Sequence, residues 1–501
     1  MTRSSFVDGI GRDRIVHLGL VQMTALSRIP FHSRILYHWD SVNFANGLRH
    51  FDVLAEHPQP PGYIVYVWLG RMMMALVGET NKALVWISII ASALAVVMLY
   101  RLGRTMWSPR VGLMAALFLA ASPLFWFYGQ IALPHTLDTL LTLTSLWMLY
   151  HVRQGREKML WPAVLTLAFA GGVRQQTLVF LLPVALYATW RVNRRHLAVA
   201  GAMGLVACLF WLIPLLAGAG GLGAYLTKMD EYGARFNSAT SVLMGAGWAG
   251  ITYNVRRLLP YTLYGLGLAL IPLLIRGVRG SMRLRRISHI DRPVFLILWI
   301  TPSILFYAFI HMGQQGLVLI YLPALLLMAA AEVDRLLTTR AVAPVVIAIV
   351  LVQALFYNLA PEYPFGIGGQ RLLTRETLAR SDAYYIERFE HIRAEFDPKR
   401  TLILAANWEH VRYYLPEYRV AAFEPAHGWG LAQRVIAGDE ARTSEQGVYL
   451  VLFDPLLAYY NTSPSAVQRA TLPGGDVLEY LAAGPRQVAY VDGMSFGITE
   501  Q

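Results

Sequence analysis

The sequence predicts an α-helical polytopic membrane protein of about eleven spans, with a small C-terminal α/β domain outside the membrane. Three observations predict it. Of the 501 residues, 56% are hydrophobic and only 15% are charged, against about 25% charged in a soluble globular domain. The apolar residues fall in runs near the length of about 20 residues that a helix needs to cross a ~30 Å hydrocarbon core. Arginine and lysine gather in short clusters between these runs, as membrane topology requires. An aromatic content of 12% carries too much apolar surface for a disordered chain. The formal net charge of +12 would point to nucleic acid in a soluble protein. Here the topology of the loops accounts for it, and no nucleic-acid partner is expected. The single cysteine, Cys208, sits in an apolar run and leaves no intrachain disulfide and no cysteine metal site.

The clearest spans are 83–100, 111–126, 196–216, 258–275, 293–310, 317–331 and 342–356, joined by 136–150 and the pair 161–171 and 177–190. The first span, 15–31, is interrupted by His17, Gln22 and Arg28. Five cationic clusters orient the set: Arg3, Arg12 and Arg14; Arg101, Arg104 and Arg110; Arg153, Arg156 and Lys158; Arg191, Arg194 and Arg195; and Arg276, Arg279, Arg283, Arg285, Arg286 and Arg292. They fall on alternate sides of consecutive spans, so all lie together in the cytoplasm, with the N terminus inside. An odd span count then puts the chain after Phe356 outside. The division expected is a transmembrane module, 1–357, with an outer loop at 32–82, and an extracytoplasmic domain, 358–501. No cleavable signal peptide and no internal repeat is read.

In the last segment charges return and long apolar runs stop. Leu378, Tyr385, Phe389 and Ile392 repeat with helical spacing within 374–396. The stretches 401–406, 418–423 and 448–453 read as buried strands, and 487–491 as a further one. No Gly-rich phosphate motif or catalytic triad spacing accompanies them. Asn461-Thr462-Ser463 fits a glycosylation sequon.

The candidate chemistry lies in the outer turns. The first holds Tyr37-His38-Trp39-Asp40-Ser41-Val42-Asn43-Phe44, then Glu56-His57-Pro58-Gln59-Pro60-Pro61-Gly62-Tyr63. A carboxylate such as Asp40, where a span leaves the bilayer, is costly unless it faces a polar cavity; the alternative is a solvated helix end. The run 63–77, with Trp68, Met72 and Leu76 on one face, lies along the membrane surface or crosses it. Asp138 opens the fourth span after a second outer turn. Arg174 is the one cation in an outer turn between two short apolar helices, placed to bind phosphate bidentately or to snorkel to lipid headgroups. His311 lies in a later polar turn, ahead of Tyr321-Leu322-Pro323, and 218–257 is a long glycine-rich outer turn readable as a lid or as a loose loop.

In this order the motifs resemble the membrane glycosyltransferases of superfamily C, in particular the protein O-mannosyltransferases and the aminoarabinose transferase of lipid A. Asp40-Ser41-Val42-Asn43-Phe44 followed by His57-Pro58-Gln59-Pro60-Pro61 resembles their first external loop. Asp138, Arg174 and Tyr321-Leu322-Pro323 resemble later landmarks, and the likeness extends over roughly 15–335. Two positions depart: Ser41 stands where the family has Glu, and Asn43 where it has His. The resemblance implies inverting transfer of a sugar from a polyprenyl-phosphate donor to a lipid, glycan or protein acceptor on the outer face of a bacterial cytoplasmic membrane. Such a donor carries its own leaving group, so the protein must supply a base and positive charge for the phosphate. The candidates are Asp40 as base and Arg174 as phosphate clamp. His57 and His311 are candidates for acceptor or metal binding, and a divalent cation (Mg or Mn) on Asp40 or Asp138 is a possible helper. The rival class is a multi-span transporter or flippase for a lipid-linked or amphipathic solute.

Overall fold

The computed structural model describes residues 3–280, 291–364, 366, 371–423, 448–484, 487–491 and 495–500. Arg283, Arg285 and Arg286 of the fifth cationic cluster lie outside them. By its contacts the chain divides into two compact units, Met1–Ser33 with Gly47–Leu378, and Arg34–Asn46 with Ala379–Gln501.

Up to Gly218 the helices are α1 (Arg3–Arg28), α2 (Trp39–Arg49), α3 (Ile64–Val77), α4 (Thr80–Met106), α5 (Pro109–Ala121), α6 (Pro123–Tyr128), α7 (His135–Arg153), α8 (Leu160–Val173), α9 (Gln175–Thr189) and α10 (Arg194–Gly218). There follow α11 (Leu222–Asn237), α12 (Gly247–Leu266), α13 (Leu270–Gly280), α14 (Asp291–Phe309), α15 (Leu322–Leu336), α16 (Thr339–Leu359), α17 (Arg375–Glu395) and α18 (Trp408–Tyr414).

Among the described residues of the first unit, five helical stretches are long and apolar enough to cross a membrane: Thr80–Met106, Arg194–Gly218, Gly247–Val278 (α12 with most of α13), Asp291–Phe309 and Thr339–Leu359. Ile64–Val77, Pro109–Ala121 and Gln175–Thr189 are apolar but shorter. Some runs read as single spans are broken, for local reasons. The run 111–126 divides at Ser122-Pro123, where proline has no N–H to continue the ladder, and the Ser122 hydroxyl donates to the Gly265 carbonyl at 2.6 Å. The run 258–275 pauses at Gly267, whose φ of 51° is left-handed backbone that glycine adopts without strain. The run 317–331 begins as a 3-10 turn, Gln315–Ile320, before α15 starts with Pro323 in its first turn. Caps begin others: Glu79 accepts from Asn81 N–H at 2.7 Å and Lys82 N–H at 2.9 Å ahead of α4. Helices α4 and α5 approach closely because Gly103 and Gly112 face each other; a Cβ on Gly103 would lie 2.7 Å from the Gly112 Cα.

The cationic clusters meet carboxylates of other helices. Arg104 pairs with Asp13, Arg110 Nη1 with Asp334 at 3.2 Å and Arg153 Nη2 with Asp291 at 2.6 Å. Arg153 ends the helix that Asp138 begins, so this ionic layer and Asp138 occupy opposite ends of α7, about 1.5 Å of rise per residue apart.

The second unit is built on strands β1 (Thr401–Ala405), β2 (Arg419–Ala422), β3 (Val448–Leu452), β4 (Val467–Thr471), β5 (Val477–Ala483), β6 (Gln487–Val491) and β7 (Phe496–Glu500). The first five form a sheet in the order β2-β1-β3-β5-β4, and β6 pairs with β7. β1 runs parallel to both β2 and β3, while β5 is antiparallel to β3 and β4. The period of two along each strand divides the core into two layers. Ile403, Ala405, Val420 and Val451 pack with Tyr385, Phe389 and Ile392 of α17. Leu404, Ala421, Leu450 and Leu452 face Leu457, Leu481 and Phe496. The segment beginning at Arg34 is stitched into this unit. Asp382 accepts from the backbone N–H of Arg34 at 2.9 Å, the Tyr414 hydroxyl accepts from Leu36 N–H at 2.9 Å, and His410 Nε2 meets the Leu36 carbonyl at 2.9 Å.

Candidate functional site

The candidate residues fall into separate groups. In the helical unit, Asp138 occupies the first turn of α7 and Arg174 the junction between α8 and α9, where its extended backbone (φ −152°, ψ 107°) breaks the helix. Arg174 Nη1 lies 3.8 Å from Asp138 Oδ2. Thr177, in the first turn of α9, donates its hydroxyl to Asp138 Oδ1 at 2.6 Å. Asp138 is 3% exposed and Arg174 9%, so the guanidinium is turned inward onto a carboxylate. A buried charge needs such a partner, since desolvation of an isolated ion is prohibitive.

His57 lies in the loop before α3. Its backbone exchanges two hydrogen bonds with Asp52, N–H to O at 2.7 Å each way. Burial lowers its imidazole pKa, against the opposing pull of Asp52. Glu56 and Tyr63 flank the Pro-rich stretch with left-handed backbone, φ 61° and 43°, conformations that persist in non-glycine residues only where contacts over-determine them. For Glu56 those contacts are Lys228 Nζ at 3.1 Å and Arg235 Nη2 at 2.9 Å, both from α11. The Pro61 carbonyl accepts from the Tyr225 hydroxyl at 3.1 Å and from Gln175 Nε2 at 3.3 Å. The turn 218–257 is therefore largely helical, and α11 is fastened to the loop that carries His57. Met72 and Leu76 on α3 are 67% and 81% exposed, which leaves the outer part of its apolar face uncovered.

His311 follows α14. Its Nδ1 lies 3.0 Å from the Thr240 hydroxyl, and burial, reinforced by the charge of Arg257, lowers its pKa to about 4. It is thus a neutral imidazole at physiological pH, tied to the segment ahead of α12 rather than to Asp138. Tyr321 is buried, with its hydroxyl 2.6 Å from that of Thr262.

Asp40 belongs to the second unit. It stands in the first turn of α2, where the helix dipole favours a carboxylate, and is 8% exposed. His38 Nδ1 accepts from the Asp40 backbone N–H at 3.1 Å and lies 3.6 Å from Asp40 Oδ2.

The tentative divalent cation finds no fitting donor set. Among the described residues no group of three or more His, Cys, Asp or Glu side chains converges to hold a metal. Asp138 is satisfied by a guanidinium and a hydroxyl donor, which compete with a cation rather than help bind it, and Asp40 has one adjacent imidazole. Sequence reading missed Thr177, Glu56 with its two cations, and His38. Thr177 stands three residues after Arg174, the spacing of neighbours on a helix face, and that was its only signal.

Comparisons with known proteins bear on these groups. A family profile described as dolichyl-phosphate-mannose-protein mannosyltransferase matches residues 56–217, a stretch that includes His57, Asp138 and Arg174. The undecaprenyl phosphate-alpha-4-amino-4-deoxy-L-arabinose arabinosyl transferase of Pseudomonas aeruginosa is 28% identical over 323 residues, 61% of this chain and 54% of its own length. A counterpart from Pseudomonas fluorescens is 26% identical over 315 residues, 60% of this chain and 52% of its own. The chain thus spans about half the length of the curated relatives it matches. Among solved structures, ArnT from Cupriavidus metallidurans bound to undecaprenyl phosphate matches with a TM-score of 0.59 at 14% identity, covering 96% of this chain and 98% of that one. Its apo form matches with a TM-score of 0.57 at 13% identity, covering 96% and 99%. At such identity the structural likeness establishes the fold. The chain has the fold of ArnT from Cupriavidus metallidurans, and in sequence it resembles the undecaprenyl phosphate-aminoarabinose transferases and, over 56–217, the dolichyl-phosphate-mannose-protein mannosyltransferase profile.

Proposed function

We propose that this chain transfers a sugar from a polyprenyl-phosphate donor to an acceptor hydroxyl, with inversion, on the outer face of a bacterial cytoplasmic membrane. The observation that carries the reading is the buried Asp138–Arg174–Thr177 cluster. It lies at the end of α7 remote from the arginine-rich ionic layer and inside the segment matched by the mannosyltransferase profile. The relatives that resemble the chain act, by their names, on an undecaprenyl-phosphate-linked sugar, and that class of donor is the one proposed here.

The chemistry needs little more than these groups. Asp40 takes the proton of the acceptor hydroxyl as its oxygen attacks the anomeric carbon. The bond from that carbon to the phosphate oxygen breaks, and polyprenyl phosphate leaves with its added negative charge met by Arg174. Attack opposite the leaving group inverts the anomeric centre. Asp138, held by Thr177, keeps the guanidinium in place. His57, kept neutral by burial, exchanges hydrogen bonds with a sugar or acceptor hydroxyl without adding charge. His311 acts at one remove, through Thr240 and the segment leading into α12. The second unit selects the acceptor, whether lipid, glycan or protein.

The test is transfer from a synthetic polyprenyl-phosphate sugar by purified protein and by the Asp40→Asn variant. The variant is nearly isosteric, so donor binding should survive while transfer falls by about 10²–10⁴, the usual contribution of a positioned base. Equal rates would end the assignment of Asp40. No turnover by the wild type with any donor and acceptor would move the reading to the transporter class, whose signature is uptake or flipping of a lipid-linked solute without covalent change.

A further inference from the structure

Tyr307, on α14, is a buried polar group that the scheme above leaves unused. It is 1% exposed, and its hydroxyl has no hydrogen-bond partner among the described residues. Its ring is wedged edge-on against Phe180 at 5.5 Å and Phe306 at 5.8 Å, which fixes the direction of the hydroxyl. The charges of Arg174 and Asp138 both act on it, as does Tyr63 from the Pro-rich loop. An orphaned hydroxyl in a packed interior costs stability unless a partner arrives.

The same ring contact places Tyr307 against α9, beside this cluster. Phe180 stands three residues after Thr177, the spacing of neighbours on one helix face. Thr177 donates to Asp138 Oδ1 at 2.6 Å, and Arg174 Nη1 lies 3.8 Å from Oδ2. The Tyr307 hydroxyl is an unspent donor beside a carboxylate that already has its partners; a hydroxyl intended for Asp138 would already be bonded to it, as that of Thr177 is. What the hydroxyl and the Arg174 guanidinium can both serve is an anionic guest with several acceptor oxygens.

We infer that Tyr307 is a further binding residue of this site, its phenolic hydroxyl donating to a phosphoryl oxygen of the polyprenyl-phosphate group held by Arg174. The inference rests on the proposed donor class and adds to it a residue embedded in an apolar run. A hydrogen bond to an ionised phosphate is charge-assisted and stronger than a neutral one.

The test replaces only the hydroxyl. Tyr307→Phe keeps the ring and its contacts, so the Tm of the ligand-free protein should hold or rise, since no hydrogen bond is lost. Binding of a polyprenyl phosphate in detergent should weaken by roughly 10- to 100-fold, the range for losing a hydrogen bond to a charged group. Binding of the matching polyprenyl alcohol, which lacks the phosphate, should not change. Equal phosphate affinity in wild type and variant would overturn the inference and leave the donor reading standing. A fall in Tm with equal losses for phosphate and alcohol would overturn it in favour of a packing role. Failure of the wild type to bind any polyprenyl phosphate would overturn the donor reading, and the inference with it.

Discussion

Replacing Arg174 by alanine removes the cation that faces the buried Asp138 carboxylate, and the geometry fixes the size of the effect. At 3.8 Å two unit charges interact by about 4 kcal/mol at the effective dielectric of about 20 that describes protein sites. Removing one member of a buried pair costs about 3–5 kcal/mol, because the survivor keeps its desolvation penalty. The Thr177 hydroxyl still donates to Asp138 at 2.6 Å, which puts the expected loss near the lower end, about 3 kcal/mol. Adding Asp138→Asn should restore part of this, since a neutral amide of the same shape no longer needs the guanidinium. The assay is thermal and chemical unfolding in detergent, followed by tryptophan fluorescence, on wild type, both single variants and the double. A coupling energy of about 2–3 kcal/mol is expected. Losses that simply add, with coupling below about 0.5 kcal/mol, would refute the claim that the two charges compensate each other. In donor binding, Arg174→Lys should retain part of the affinity and Arg174→Ala little, because lysine keeps the point charge and loses the fork. Unchanged donor affinity in the alanine variant would leave Arg174 a structural partner of Asp138 alone.

The remaining predictions concern both units and the topology. His410 in the second unit is buried, stacks on Tyr385 at 4.5 Å, and has its pKa lowered by burial to about 4. Its folded value lies below its unfolded one, so its contribution is fully present above about pH 6.5 and is lost as pH falls toward 4, on the order of 3 kcal/mol in all. Hydrogen exchange in β1 and β3, corrected for the intrinsic rate, should show protection falling between pH 7 and 5, and constant protection would contradict this. Glu56→Gln removes the carboxylate shared by Lys228 and Arg235 and should loosen α11 by on the order of 1 kcal/mol, since these pairs are partly exposed. Limited proteolysis within 222–237 should then quicken while the rest of the helical unit stays resistant; unaltered cleavage would deny the clasp. Single cysteines placed in exposed positions of 371–400 should react with a membrane-impermeant thiol reagent in intact cells if, as proposed from the alternation of cationic clusters, the chain after Phe356 lies outside. Labelling only after the membrane is broken would reverse the orientation.

Local pattern reached a long way into this fold. Apolar runs became helices, because a helix satisfies its own backbone and needs only composition and length. The stretches 401–406, 418–423 and 448–453 became the three parallel strands at one side of the sheet, because apolar runs bounded by turns carry a local signal. The polar turns holding His57, Asp138 and Arg174 were visible because charge is rare in such a chain. Where the helices break also had a local cause, at Ser122-Pro123 and at Gly267, yet the runs looked continuous because hydropathy does not register a missing N–H.

What the sequence could not contain is which distant residues meet. Asp138 and Arg174 are 36 positions apart, and their ion pair exists because α7, α8 and α9 pack together. Nothing in the composition of Arg34–Asn46 groups it with residues beyond 378; the hydrogen bonds from Asp382, Tyr414 and His410 decide that. Glu56 looked like an ordinary loop charge until α11 brought two cations to it. Tyr307 read as one more aromatic in an apolar span, and only its burial against Phe180, one turn from Thr177, with a hydroxyl left unspent, sets it apart. Secondary structure follows from short-range periodicity, whereas a site follows from long-range packing, and packing belongs to the tertiary structure.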